Sequence, residues 1–214
     1  MKKIILSTAI LFVAFTSFAQ NEKYIGAMKA NIAAIDTSFR NPSNLITLSN
    51  TFELIAKAEK NQWLPYYYAA FVQVNYAFVN ADKSKTDLIA DKAASLISKA
   101  DSLSPGNSEI SIIKSMIATS RLLVDPMTRY QEFGALGETE IDNAIAQDTS
   151  NPRPYYLRGQ NLKYTPEKYG GGCKNALPYL ENSESRYAVF KPASELHPNW
   201  GKERNQMVLK ECKK

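Results

Sequence analysis

Proton-transfer and metal chemistry need side chains that can converge. This chain holds one histidine, His197, and two cysteines, Cys173 and Cys212. No CxxC, HxxxH or HExxH spacing occurs. A zinc site, or a nucleophile paired with a base, therefore lacks its members. The carboxylate pairs Glu138/Glu140 and Glu181/Glu184 read as solvated helix faces, without the convergence a glycosidase cleft requires. Gly170, Gly171 and Gly172 precede a helix start, where free N–H groups can hold an anion. The phosphate-loop pattern GxxxxGK[ST] is absent, so the run reads as a turn needing positive φ. The expectation is a protein that is no enzyme, with no metal and no cofactor.

Residues suited to recognition are more numerous. Trp63, Tyr66, Tyr67, Tyr68, Phe71 and Tyr76 lie close together. Such side chains line grooves as readily as they fill cores. Helix geometry splits the group: Tyr67, Phe71 and Val74 share one face, so Tyr66 or Tyr68 should be partly exposed. Arg153, Tyr155, Tyr156 and Arg158 open a later helix. Either arginine could grip a carboxylate with two prongs, or remain an ordinary solvated side chain. Tyr164 and Tyr169 flank the following loop and complete the candidate partner-binding set. His197 and Trp200 read as structural, with Trp200 packing the last helix onto the one before it.

These residues must be placed by helices. Apolar side chains recur at intervals of three and four, with almost no strand-like alternation. Ile25, Met28, Ile32 and Ile35 make one face, and Leu45, Leu48, Phe52 and Ile55 a second. Asn41 followed by Pro42 is a cap and a first turn. Ile89, Ala93, Leu96, Ala100 and Leu103 continue the pattern until Ser104, Pro105 and Gly106 stop it. A helix opening at Pro126 should break near Gly134 and Gly137, each costing up to about 1 kcal/mol relative to alanine. Further helices are expected over about 153–164, 173–189 and 200–212. Cys173 then starts one helix and Cys212 ends the next. An antiparallel hairpin would bring the two thiols together as a disulfide, the rival being two separate thiols.

The chain opens with Lys2 and Lys3, then runs apolar from Ile4 to about Phe18. That run is shorter than the ~20 residues a bilayer needs, and Ser17 and Ala19 are small. This is the layout of a secretory signal over residues 1–19, leaving a single helical-repeat domain over 20–214. No cysteine near the cut offers a lipid site, and no later segment is apolar enough to span a membrane. The expected address is periplasmic or extracellular. Formal charge is only +5, with scattered basic residues, so no nucleic-acid face is expected.

The segments 100–107 and 144–151 look alike at an offset of 44 residues, and 56–63 lies 44 earlier. A fixed period of that size marks stacked helical hairpins. Trp63, Leu64, Tyr67 and Ala70, then Ala93, Ala100 and Pro105, and the junction at 151–159, resemble a tetratricopeptide-repeat protein. The period of that family is shorter, so the repeats would be divergent. Tyr164–Gly172, Ala176 and His197–Gly201 resemble a family of exported bacterial helical-repeat proteins. The glycine run is also similar to the helical subunit of tripartite ATP-independent transporters. The resemblance implies an all-α solenoid of about nine helices with a concave surface for a protein or peptide of the cell envelope. The alternative it implies is a small-ligand subunit of an uptake system, its ligand enclosed near the 164–172 loop.

Overall fold

The computed structural model describes residues 22–214; the segment read as an export signal lies outside them. The described residues are helical or looped, with no strand among them. Helix α1 covers 22–33 and is followed by a single turn, α2 (Ile35–Ser38). Then come α3 (Pro42–Ala58), α4 (Trp63–Val79), α5 (Thr86–Leu103), α6 (Ser108–Leu122) and α7 (Pro126–Arg129). A π-helical turn, Tyr130–Gly134, joins α7 to α8 (Ala135–Gln147). The last three helices are α9 (Arg153–Tyr164), α10 (Cys173–Tyr187) and α11 (Lys202–Cys212).

The period seen in the sequence is a period of hairpins. Trp63, Ser108 and Arg153 open α4, α6 and α9, at equal spacing along the chain. Each of α4, α6 and α9 packs against the helix preceding it and a helix of the next hairpin arm. The caps repeat too. Asn41, Asn107 and Asn151 each accept a hydrogen bond from the backbone N–H two residues on, which satisfies an otherwise orphaned donor at the helix start. The expected break at Gly134 appears as the π-helical turn. Residues 170 and 172 have φ of 84° and 89°, so the glycine run is a left-handed turn leading into α10.

One feature departs from a plain stack. Between α10 and α11 the chain leaves helical geometry over 188–201 and crosses back over the starts of α4, α6 and α9. This strap is fastened at many points. The Tyr68 hydroxyl donates to the Leu196 carbonyl at 2.9 Å, and the Trp200 indole N–H donates to the Tyr67 oxygen at 2.8 Å. Trp200 stacks on Phe71 at 4.9 Å between centroids, and His197 meets Trp63 edge-on at 5.7 Å. Trp200 therefore fixes the strap to α4 and not, as the sequence suggested, the last helix to its predecessor.

Beneath the strap lies Arg153, whose side chain has 0% exposure. Its guanidinium donates to Glu109 at 2.7 Å, to Asn151, and to the Pro198 carbonyl on the strap. Its flat face lies over Phe190 and Trp200. Glu109 also accepts from Asn151 at 2.8 Å and from the Tyr67 hydroxyl at 3.4 Å. Burial pushes the Glu109 carboxyl above its ordinary range, against the opposing pull of Arg153. One ion pair thus joins α6, α9 and the strap.

Cys173 and Cys212 form a disulfide, with Cα atoms 5.0 Å apart. It ties the start of α10 to the end of α11 and encloses the whole strap within its loop. A closed loop of 39 residues is worth about 4 kcal/mol by the chain-entropy estimate. Reduction should therefore lower the melting temperature; an unchanged melting curve after complete reduction would contradict this.

Two more tests follow from the core. Arg153→Met leaves Glu109 buried without its partner and should cost about 3–5 kcal/mol in denaturant unfolding. Adding Glu109→Gln should recover part of that loss, and a single-variant loss under ~1 kcal/mol, the range of exposed pairs, would contradict the burial. Burial also raises the hydroxyl pKa of Tyr24 and Tyr156 from 10.0 to about 12. The folded pKa is above the unfolded one, so this stability is complete below pH 10 and lost as pH rises through about 12. A melting series across that window should fall steadily; a flat one would count against it.

Candidate ligand groove

The recognition residues picked from the sequence do not converge. Arg153, Tyr155 and Tyr156 were expected at a solvent face, and all three are buried. The strap covers Arg153 and Tyr156 where α9 begins, and Arg186 of α10 covers Tyr155. Arg153 spends its donors on Glu109, Asn151 and Pro198. Tyr155 lies under the Arg186 guanidinium, 4.0 Å away, and accepts a hydrogen bond from it. The Tyr156 hydroxyl donates to Gln160. Tyr68 is buried as well, committed to Leu196.

Arg158 is mostly covered, and both its prongs are used within the chain. It donates to Glu138 at 3.0 Å and to Asp142 at 2.7 Å, fastening α9 to α8. Tyr66 is half-buried under Lys99, as the splitting of its helix face required. Tyr164 and Tyr169 are exposed, and each has a neighbouring lysine, Lys163 or Lys168, over its ring. These two sit at the α9–α10 loop, apart from Tyr66 on α4. His197 has its Nδ1 engaged with Ser194 at 2.7 Å and its ring against Trp63, and burial lowers its pKa.

Two concavities stand out. One lies beside the strap, about 430 Å³, and Glu109, Asp148, Phe190, Lys191, His197 and Pro198 are among its lining residues. Its chemistry is mixed, and its Glu109 wall is committed to the buried ion pair.

The other is a groove of about 450 Å³ over α6, between α5 and α8. That volume is within the range of small-molecule sites. Ala94 and Ile97 come from α5, Ile117 and Ala118 from α6, Phe133 from the π-helical turn and Leu136 from α8. Small alanines beside flat or branched side chains make an apolar slot. Charged residues border it: Lys114 and Arg121 on α6, Asp101 on α5 and Glu140 on α8. Lys114 and Arg121 are two helical turns apart, or about 10 Å along the axis. Lys114 holds Asp101 at 2.8 Å and Arg121 holds Asp91 at 2.5 Å. Asp91 and Asp101 are substantially exposed, so these pairs are weak and can be exchanged for a ligand's carboxylates at small cost. The lining includes no histidine, cysteine, tyrosine or methionine.

The sequence analysis did not single out this groove. A signal was present. Ala94, Ile97 and Asp101 form a second, narrower face beside the Ala93–Leu96–Ala100 stripe of α5. Leu136 is an apolar residue beside the glycine-weakened break.

No protein-family model matches the chain, and no curated protein sequence matches it. A solved structure does: the HusA haemophore from Porphyromonas gingivalis, 37% identical, superposing with a TM-score of 0.80. The match covers 89% of this chain and 92% of that one. At that identity, over nearly the whole length of both proteins, this chain belongs to the family of the HusA haemophore.

Proposed function

We propose that this protein binds haem, or a porphyrin of the same shape and charge, in the groove over α6. The relative is a haemophore, a binding protein and not a catalyst. The observation that carries the reading is the groove itself: an apolar slot with exchangeable cations two turns apart on its floor helix. A porphyrin is a flat apolar ring with carboxylates on one edge. Ile97, Ile117, Ala118, Phe133 and Leu136 suit the ring, and Lys114 and Arg121 suit the acids.

The groove recognises the ring and its acids, without an iron ligand among its lining side chains. Metal-free protoporphyrin should therefore bind within a few-fold of haem. A small-ligand carrier replaces a protein or peptide partner as the first reading, and the site moves from the 164–172 loop to α5, α6 and α8. The secretory layout of residues 1–19 supports an exported carrier, working where haem is scavenged outside the cytoplasm.

The test is a titration of the disulfide-bonded protein with haemin, followed at the Soret band. Leu136→Glu, at an exposed groove position, should weaken binding at least about tenfold by setting a carboxylate against the ring. Its melting temperature should stay within a few degrees, as for surface changes. His197→Ala should bind as the parent protein does. A parent protein that leaves the Soret band unmoved would overturn the reading. Loss of binding in His197→Ala, with none in Leu136→Glu, would move the site to the cavity beside the strap.

A further inference from the structure

The groove's end wall stands on a segment that the core does not hold. Neither α7 nor the π-helical turn after it contains a buried residue. Met127 and Tyr130 are exposed there, and Leu123 just before them. Yet Phe133, from this same turn, lines the groove. Something other than apolar burial must fix it.

We propose that Asp87 and Arg129 are the positioning pair of the groove, tying α7 to the start of α5 so that Phe133 stands as its end wall. Arg129 donates through both terminal nitrogens to the two carboxylate oxygens of Asp87, each at 2.8 Å. This two-pronged geometry fixes direction as well as distance. The residues are far apart in sequence, so the bond joins two separate hairpins. Arg129 donates also to the Arg121 carbonyl at 3.2 Å, which anchors it to the end of α6.

The Phe133 ring then lies near two guanidiniums. The Arg121 and Arg129 carbons lie 5.8 Å and 5.9 Å from its centroid, within cation–π range. Asp87 faces both arginines: its Oδ1, which accepts from Arg129, lies 3.6 Å from Arg121. Arg121 is itself a groove residue, held on its far side by Asp91. Asp87 thus sets the ring directly through Arg129 and steadies the cation beside it. The hydrogen bond from Arg129 holds the Asp87 carboxyl below its ordinary range. A π-helical turn widens the helix locally, and such turns recur at functional sites. Here it brings Phe133 round to the groove while Arg129, just ahead of it, is pinned.

The inference rests on the haem reading for its functional consequence, but the tie has a readout of its own. The experiment compares the parent, Asp87→Asn, and the charge-keeping variant Asp87→Glu. Haemin affinity, amide hydrogen exchange over residues 126–134 and melting temperature are measured for each. Asp87→Asn should bind haemin roughly three- to tenfold more weakly, as loss of one partly exposed pair allows. Exchange over 126–134 should quicken while the melting temperature moves by a few degrees at most. Asp87→Glu, which keeps the carboxylate for Arg129, should hold affinity and exchange closer to the parent than Asp87→Asn does. Unchanged exchange in Asp87→Asn, or parental affinity with faster exchange, would overturn the proposal. A parent that does not take up haemin would overturn the haem reading alone, and the exchange data would still decide the tie.

Discussion

A guanidinium removed from water must find partners for its charge, and the terminal nitrogens of Arg153 find them on three parts of the chain, while its buried Nε–H has none. Glu109 comes from α6, Asn151 from the cap of its own helix, and Pro198 from the strap. The rings of Phe190 and Trp200 lie within cation–π range of the guanidinium. An unpaired charge at this depth would cost several kcal/mol, so these contacts stand or fall together. The strap cannot lift without stripping Arg153 of a carbonyl and two rings. The Tyr67 hydroxyl, shared between Glu109 and the Trp200 indole, extends the same network to α4. The disulfide joins the start of α10 to the end of α11, so it closes the hairpin at the end opposite the strap.

This constraint decides where a ligand can go. In a stack of hairpins the face carrying α4, α6 and α9 would be the natural recognition surface. Here the chain fills it with its own residues 188–201. What is left open is the gap where α5 and α8 both rest on α6 without closing over it. Its floor is held from beneath by the core, while its end wall, on the proposal above, depends on a surface ion pair. A rigid floor beside a lightly tethered wall would suit the proposed carrier, which must both admit and surrender a flat cargo.

The helices were legible because their apolar residues repeat at three and four. Asn41 marked a start that the structure keeps. The disulfide was legible from helix order, since antiparallel neighbours bring one start beside the next end. The strap was not. Pro192 and Pro198 announce only that a helix stops, and where an irregular segment runs depends on long-range contacts such as Tyr68 to Leu196. Missing the strap led to the misplacement of Arg153 and Tyr156, because helix position alone cannot show that a face is already covered. The groove escaped for a related reason. Ile97 and Ile117 are buried in the ordinary way, and only the spacing of α5 from α8 turns their edges into a wall.

On the proposed reading, cargo sits over α6 while the strap stays in place. Ferric haem broadens the resonances of nearby nuclei, so paramagnetic broadening of backbone amide signals on adding haemin locates it directly. Broadening should centre on residues 94–101, 114–121 and 133–140, with 188–201 keeping its parental shifts. Broadening centred on 188–201 and the start of α4, with the groove residues untouched, would contradict it.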